Sequence, residues 1–414
     1  MPSPLRGTLL AAFVLLTGCV PRSEFVPLFN GSDLSGWTNV NGAESTWTVK
    51  DGMIVCSGFP TGVMCTERHY ENFILELEWR HVTEGGNAGL FIHSDPLPAR
   101  GQPFTRSIEC QVMDGNHGDV FAIHGATMVP DRPHPQGWMR SLPIEERANP
   151  TGEWNHYNVE SRDGEITLAV NGKVVSGGSD LNPRKGYICL ESEGSEVHFR
   201  NLRIHELPST DPATDETADV HQGFASLYTG VDLSGWTRPV VSDSSFRPDD
   251  WILRSEASDD DVSRVVVGGT DLRGLADEID PTTVAHLWTE SEFRDFILIV
   301  DWRMDCEGET AENKLAGIML RGSPDAEVLI GCESVAFPAT VSAGGAVVVV
   351  DDDSDRGWHR LEITVRGNTV MADLDGHTVA NEQLPSGVPD GGPIGIANHG
   401  TQVEFANLFV KELE

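Results

Sequence analysis

The residues of this chain best suited to chemistry lie between Asn87 and Asp114, in the stretch NAGLFIHSDPLPARGQPFTRSIECQVMD. Two apolar runs, 88–92 and 108–113, alternate or nearly alternate, which reads as half-buried strands. They carry polar groups that a plain strand does not need: Asn87, His93, Glu109 and Gln111. Glu109 and Gln111 are two apart, so a regular strand turns them to the same face. An acid and an amide side by side on one sheet face suit a polar, sugar-like ligand; the plainer reading of a lone E-x-Q is a solvated face. Downstream, residues 115–152 read as a long loop with His, Arg, Trp and five Pro, among them His117 and His124. A loop of that length inside a compact domain is usually functional or disordered, and its basic and aromatic content points to function.

The elements that must position these groups are strands. Residues 73–79 alternate, and Arg162-Asp163-Gly164 and Asn171-Gly172 read as hairpin turns. No long run has helical period. The pattern is also written twice. PLFNGSDLSGWT (27–38) returns as SLYTGVDLSGWT (226–237), YENFILELEWR (70–80) as FRDFILIVDWR (293–303), GNAGLFIH (86–93) as KLAGIMLR (314–321), and SEVHFRNLRIHEL (195–207) as TQVEFANLFVKEL (401–413). Four blocks in one order indicate a duplicated domain. The expected organisation is all-β: domain one over 25–207, an acidic, flexible linker over 208–223, and a diverged domain two over 224–414, each a jelly-roll sandwich. In the second copy Leu315 replaces Asn87. Aligning the Ile-x-Cys pairs sets 108–111 against 330–333, which leaves Glu109 without an acidic counterpart. Domain one is therefore expected to hold the chemistry, and domain two to be structural or sugar-binding.

The chain of 414 residues has 64 acidic against 29 basic side chains and a net charge of −35, which argues against a nucleic-acid partner. Residues 1–19 read as a lipoprotein signal peptide: Arg6, an apolar run over 9–16, then Leu16-Thr17-Gly18-Cys19. Lipidated Cys19 would anchor the mature chain, and Val20 after it points to the outer membrane rather than the inner. Of the remaining cysteines, Cys56 and Cys65 flank a turn-rich stretch and are placed to pair, while Cys110, Cys189, Cys306 and Cys332 read as buried thiols. No spacing demands a metal. The one cofactor left open is a divalent cation such as calcium, with Asp351-Asp352-Asp353 as a candidate ligand run beside its reading as a solvated turn.

Leu28 to Trp37, Trp47 with Asp51-Gly52, Tyr70-Glu71-Asn72-Phe73, Asn87-Ala88-Gly89, Glu109-x-Gln111, Gly125-Ala126, Gly152-Glu153-Trp154-Asn155, Asn171-Gly172 and Phe199-Arg200-Asn201 together resemble the DUF1080, or 3-keto-disaccharide hydrolase, domain family. The resemblance covers domain one and, more weakly, domain two. Two positions depart from it: family members often carry Arg at His93 and an aromatic at Met128. It implies a concanavalin A-like sandwich and an exported enzyme, a hydrolase or lyase that cleaves glycosides oxidised at C3. A C3 ketone makes the C2 proton acidic, so its removal can expel the C1 substituent, after which water adds. That route needs a base, donors for the enolate oxygen and an acid. The candidates are Glu109, His124 and His117 for proton transfer, with His93, Asn87, Gln111 and Arg68 holding the sugar. The rivals are a non-catalytic carbohydrate-binding protein of the same fold and a conventional glycosidase, for which Glu191 or Glu193 would supply the second carboxylate.

Overall fold

The computed structural model describes residues 24–237, 246–255, 285–304, 315–331, 334–336, 348–349, 357–399 and 401–414. Each half of the chain is a sandwich of two antiparallel sheets. Domain one pairs a nine-stranded with a seven-stranded sheet, and domain two an eight-stranded with a seven-stranded one. Among the described residues no α-helix occurs, and the strands are joined by turns, bends and short 3-10 pieces such as Glu44–Thr46 and Thr214–Glu216.

The strand Phe73–His81 shows how the sequence builds the sandwich. Its residues alternate buried and half-buried, as a period of two requires when one face meets the core. Phe73, Leu75, Leu77 and Trp79 pack against Leu90, Ile92, Ile108 and Leu190 of the opposite sheet. A side chain of this size contributes about 1.5–3 kcal/mol when fully buried, so this layer is a main source of cohesion.

The seven-stranded sheet of domain one departs from the expected half-buried pattern. Gly89–Ser94, Ser107–Gln111 and Tyr187–Ser192 are buried at every position. One face meets the domain's own core. The other meets domain two: Phe91, Tyr187, Val63 and Val40 form one cluster with Ile299 and Phe409. The connection between the first two strands extends this contact. The Gly101 N–H donates to Asp301 Oδ2 at 2.8 Å, and Asn407 Nδ2 donates to the carbonyls of Ala99 (3.1 Å) and Gln102 (3.0 Å). Arg360 pairs with the fully buried Asp301 and donates to Pro98 O. Gly101 has φ +61°, and a Cβ there would sit 2.2 Å from Trp358 Cγ, so only glycine fits.

Two sequence expectations are corrected here. The linker is fastened to domain one: Arg184 pairs with Glu216, Ala218 is buried and donates its N–H to Lys185 O, and the His221 N–H donates to Tyr187 Oη. The disulfide joins Cys65 to Cys189, which stand directly opposite on neighbouring strands, while Cys56 and Cys110 are buried free thiols. Turn content between Cys56 and Cys65 suggested a hairpin pair, but Cys56 pairs in register with Val197 of the other sheet. Cys19, Cys306, Cys332 and Asp351–Asp353 lie outside the described residues.

Candidate functional site

The outward face of domain one's seven-stranded sheet is apolar toward domain two and polar beyond Phe91. Register sets the polar half. Glu109 stands between Phe91 and Phe121, and Phe121 in turn stands opposite Arg140. One step along, Gln111 is opposite Gly89, and Glu191 follows Leu190, which is opposite Leu90. Asn87 bridges to Glu193 at the end of the same row.

Gly89 is the centre of this arrangement. A Cβ there would lie 2.4 Å from Glu191 Oε2 and 3.1 Å from Glu109 Oε1, so both carboxyl groups lean over the space that glycine leaves. Both residues are buried, and Glu191 Oε2 has no hydrogen-bond partner. Burial, then the charge of nearby Glu193, push the Glu109 carboxyl up to about 8. Burial, then Glu109, hold Glu191 well above the usual carboxylate range. Glu193 is raised less decisively: burial lifts it, while a hydrogen bond with Glu191 opposes the rise. Asn87 Nδ2 also donates to Glu193. Burial thus favours the neutral form at Glu109 and Glu191, while Glu193 is the carboxyl that hydrogen bonds from Asn87 and with Glu191 hold in place.

Around the trio, Gln111 spends its amide oxygen on the Val112 N–H at 2.9 Å, which leaves its NH2 end to donate. Arg140 makes a buried ion pair with Asp119, donates to Asn116 Oδ1 at 3.1 Å, and lies over Phe121 with Cζ 4.4 Å from the ring centre. Arg140, Asp119 and Phe121 come from residues 115–152. That stretch is not a plain loop: it contains the short strands Val120–Ile123, Thr127–Pro130 and Arg140–Ser141.

The sequence candidates divide. Glu109, Gln111 and Asn87 come together, joined by Glu191 and Glu193. The other four lie elsewhere. His93 is fully buried between the sheets, with Nε2 2.8 Å from Ser161 Oγ, and burial pushes it down to about 3. A register shift and its left-handed φ of +53° turn it inward, against the strand's alternation. His117 accepts the N–H groups of Arg147 (3.0 Å) and Ala148 (2.7 Å) on Nε2 and so pins the far end of its own stretch. His124 lines a crevice of about 290 Å³ between the domains, with Arg100, Arg360 and Asp375. Arg68 forms an exposed double hydrogen bond with Glu206 and lies 4.1 Å from the Tyr70 ring centre. Asp119 and Arg140 went unnoticed because only the fold brings them beside Glu109.

The register also corrects the comparison of the two copies. Phe91 matches Met319 at the repeat spacing; Phe91 faces Glu109, and Met319 faces Glu327. The counterpart of Glu109 is therefore Glu327, and that of Gln111 is Leu329. The hairpin in domain two is a tight turn between Leu320 and Ser323, so aligning on Ile-x-Cys slid the strand. The acid was not lost.

Comparison with known proteins finds the 3-keto-alpha-glucoside-1,2-lyase-like domain over residues 24–205 and again over 223–411. A 3-keto-disaccharide hydrolase of Bacteroides thetaiotaomicron is 22% identical over 247 residues, covering 45% of this chain and 80% of the relative. Among solved structures, a Parabacteroides distasonis protein assigned provisionally as a glycosyl hydrolase is 24% identical. It covers 46% of this chain and 99% of its own, with a TM-score of 0.36. The carbohydrate-binding module CBM66 of Bacillus subtilis is 15% identical, covers 41% and 96%, and has a TM-score of 0.32.

Proposed function

The chain belongs to the 3-keto-alpha-glucoside-1,2-lyase-like domain family, whose domain it carries twice, and we propose that its first domain cleaves glycosides oxidised at C3 of the sugar. The observation that carries this reading is the pair of buried carboxyl groups, Glu109 and Glu191, leaning over Gly89.

The sugar ring sits over Gly89. The Glu191–Glu193 pair, which shares a proton, receives the C2 proton, while the C2–H bond electrons form the C2–C3 double bond of the enolate. The NH2 of Gln111 is the donor placed to meet the C3 oxygen. As the enolate collapses, the C1–O bond breaks, and Glu109 gives its proton to the departing oxygen. Water then adds across C1 and C2, with the proton exchanges reversed. Glu109 suits the acid role because burial keeps its proton on at neutral pH. The histidines offered as bases by the sequence are engaged elsewhere, so proton transfer falls to carboxyl groups.

The closeness of two carboxyl groups also favours a second reading, a glycosidase acting on unoxidised sugars. One experiment separates the two. The purified chain is given nitrophenyl glucosides, either oxidised at C3 or not. Release from the oxidised series alone supports the proposal; equal release from the parent series replaces it. Release from neither leaves the non-catalytic binding protein as the reading of this site.

We further propose export as a lipoprotein. Leu16-Thr17-Gly18-Cys19 supports lipidation at Cys19, and outer-membrane attachment would place the site where environmental glycosides arrive.

A further inference from the structure

Domain two carries side chains on the same outward sheet face that the decay of a redundant copy does not explain. Glu327, the positional counterpart of Glu109, accepts a hydrogen bond from His399 Nε2 at 2.6 Å. His399 stands where domain one has Glu193: Leu190 matches Ile396, each facing its copy of the Gly89 strand. His286 pairs with Ala397 and so occupies the position of Val63. The Nδ1 atoms of both His286 and His399 are buried without a partner.

The glycine that opens the first site is kept in the second. A Cβ at Gly317, the counterpart of Gly89, would lie 1.7 Å from Glu327 Oε1. An aromatic wall has been added. Where domain one has the Cys65–Cys189 disulfide, domain two has Trp288 opposite Gly395. The Trp288 ring lies over that glycine, whose Cβ would approach it to 2.7 Å. The Trp288 and His286 ring centres are 6.0 Å apart. Glu327 retains 17% exposure of its side chain, so the acid can be reached.

We propose that domain two holds a second sugar site, chemically distinct from the first, in which the Glu327–His399 dyad and His286 exchange protons or hydrogen bonds with a sugar ring stacked on Trp288. A carboxyl group that holds one nitrogen of an imidazole fixes its tautomer and frees the other nitrogen to work as base or acceptor. With Nε2–H donated to Glu327, His399 presents Nδ1. His286 is held below the ordinary imidazole range by burial, so it too offers a neutral acceptor. The first domain presents protonated carboxyl groups over its glycine; the second presents imidazole acceptors. The sugar class rests on the reading of the first site, but the presence of a second site does not.

The test uses the full chain with the first site silenced by Glu109→Gln and Glu191→Gln, with its histidines isotopically labelled. The His286 and His399 signals are assigned by His286→Gln and His399→Gln. A nitrophenyl glucoside oxidised at C3, and its unoxidised parent, are then titrated in. The expected result is movement of both signals with at least one sugar, and weakening of that binding by about tenfold or more in Glu327→Gln, as loss of one charge-assisted hydrogen bond implies. Trp288→Ala should weaken it comparably without touching the dyad. No movement with either sugar overturns the second site. So does movement that survives unchanged in both Glu327→Gln and Trp288→Ala. Failure of the function proposed for domain one reads out separately, as absence of aglycone release by the unmodified chain.

Discussion

Replacing Glu109 by Gln should stabilise the chain and silence it, and the stabilisation should depend on pH. The Glu109 carboxyl is pushed from its ordinary value of 4.5 up to about 8. Ionising it in the folded chain is therefore harder than in the unfolded chain by about 5 kcal/mol, an order-of-magnitude figure at about 1.4 kcal/mol per tenfold. Below pH 4.5 both states hold the proton, and Glu109→Gln changes little. Between pH 4.5 and about 8 the unfolded chain releases the proton while the folded chain keeps it, so wild-type stability falls as pH rises. Above about 8 both states are ionised and the penalty is constant. Glutamine has no such proton. The variant's advantage should grow from near zero at pH 4.5 to several kcal/mol at pH 8.5, then level off. Urea unfolding of the full chain, followed by tryptophan fluorescence at a series of pH values, measures this. A stability difference that stays flat from pH 4.5 to 8.5 would refute the claim that Glu109 is held protonated. Activity runs the other way: loss of the proton donor should cost about 10²–10⁴-fold in kcat, and the wild-type rate should fall as pH rises through about 8.

Three further perturbations probe other parts of the argument. Gly89→Ala places a methyl group 2.4 Å from Glu191 Oε2 and 2.9 Å from a ring carbon of Phe91; kcat should collapse, and circular dichroism should show the β content retained. Asn407→Ala removes the donor that holds Ala99 O and Gln102 O and should cost about 1–3 kcal/mol for the acceptors left unsatisfied, read as faster proteolysis between the domains with each sandwich still folded. Cys19→Ser should release the chain from the membrane fraction, and unchanged processing and membrane association would end the lipoprotein proposal.

Much of the architecture was legible because duplication doubles the signal. Four repeated blocks mark the two domains, and alternation over 73–79 matches the strand Phe73–His81. The seven-stranded sheet was harder to read, for a physical reason. A period of two sorts side chains into two faces, but it cannot say which face is the core when both are buried. Glu109 and Gln111 were correctly placed on one face; what covers that face, Ile299 and Phe409 from the other domain, has no local signature. His93 was misread because a left-handed residue at a register shift reverses the alternation on which the reading relied. His117 looked chemical because histidine in a long connection often is, yet its ring serves as an acceptor for backbone N–H groups. Glu327 was missed because matching identities slid the strand, and the register shift between Met319 and Leu320 that sets its true pairing has no signature in the sequence.

The contact between the domains bears on how the first site works. The face that carries Glu109 continues without a break into the apolar cluster that domain two covers, and Phe91, which belongs to that cluster, is the direct neighbour of Glu109. Domain two also reaches the far side of the site: Asp250 accepts the N–H of Thr61 at 2.7 Å, and its charge adds to the rise of the Glu193 carboxyl. The elevated proton affinities of the trio thus depend partly on a neighbour that excludes water from one flank and adds negative charge on another. Domain one by itself would expose Phe91, Tyr187 and Val63 and hydrate Glu109, which lowers its carboxyl toward the ordinary range. Separate cores do not make the first domain self-sufficient. The second copy acts on the first site as a wall, whatever chemistry it performs on its own face.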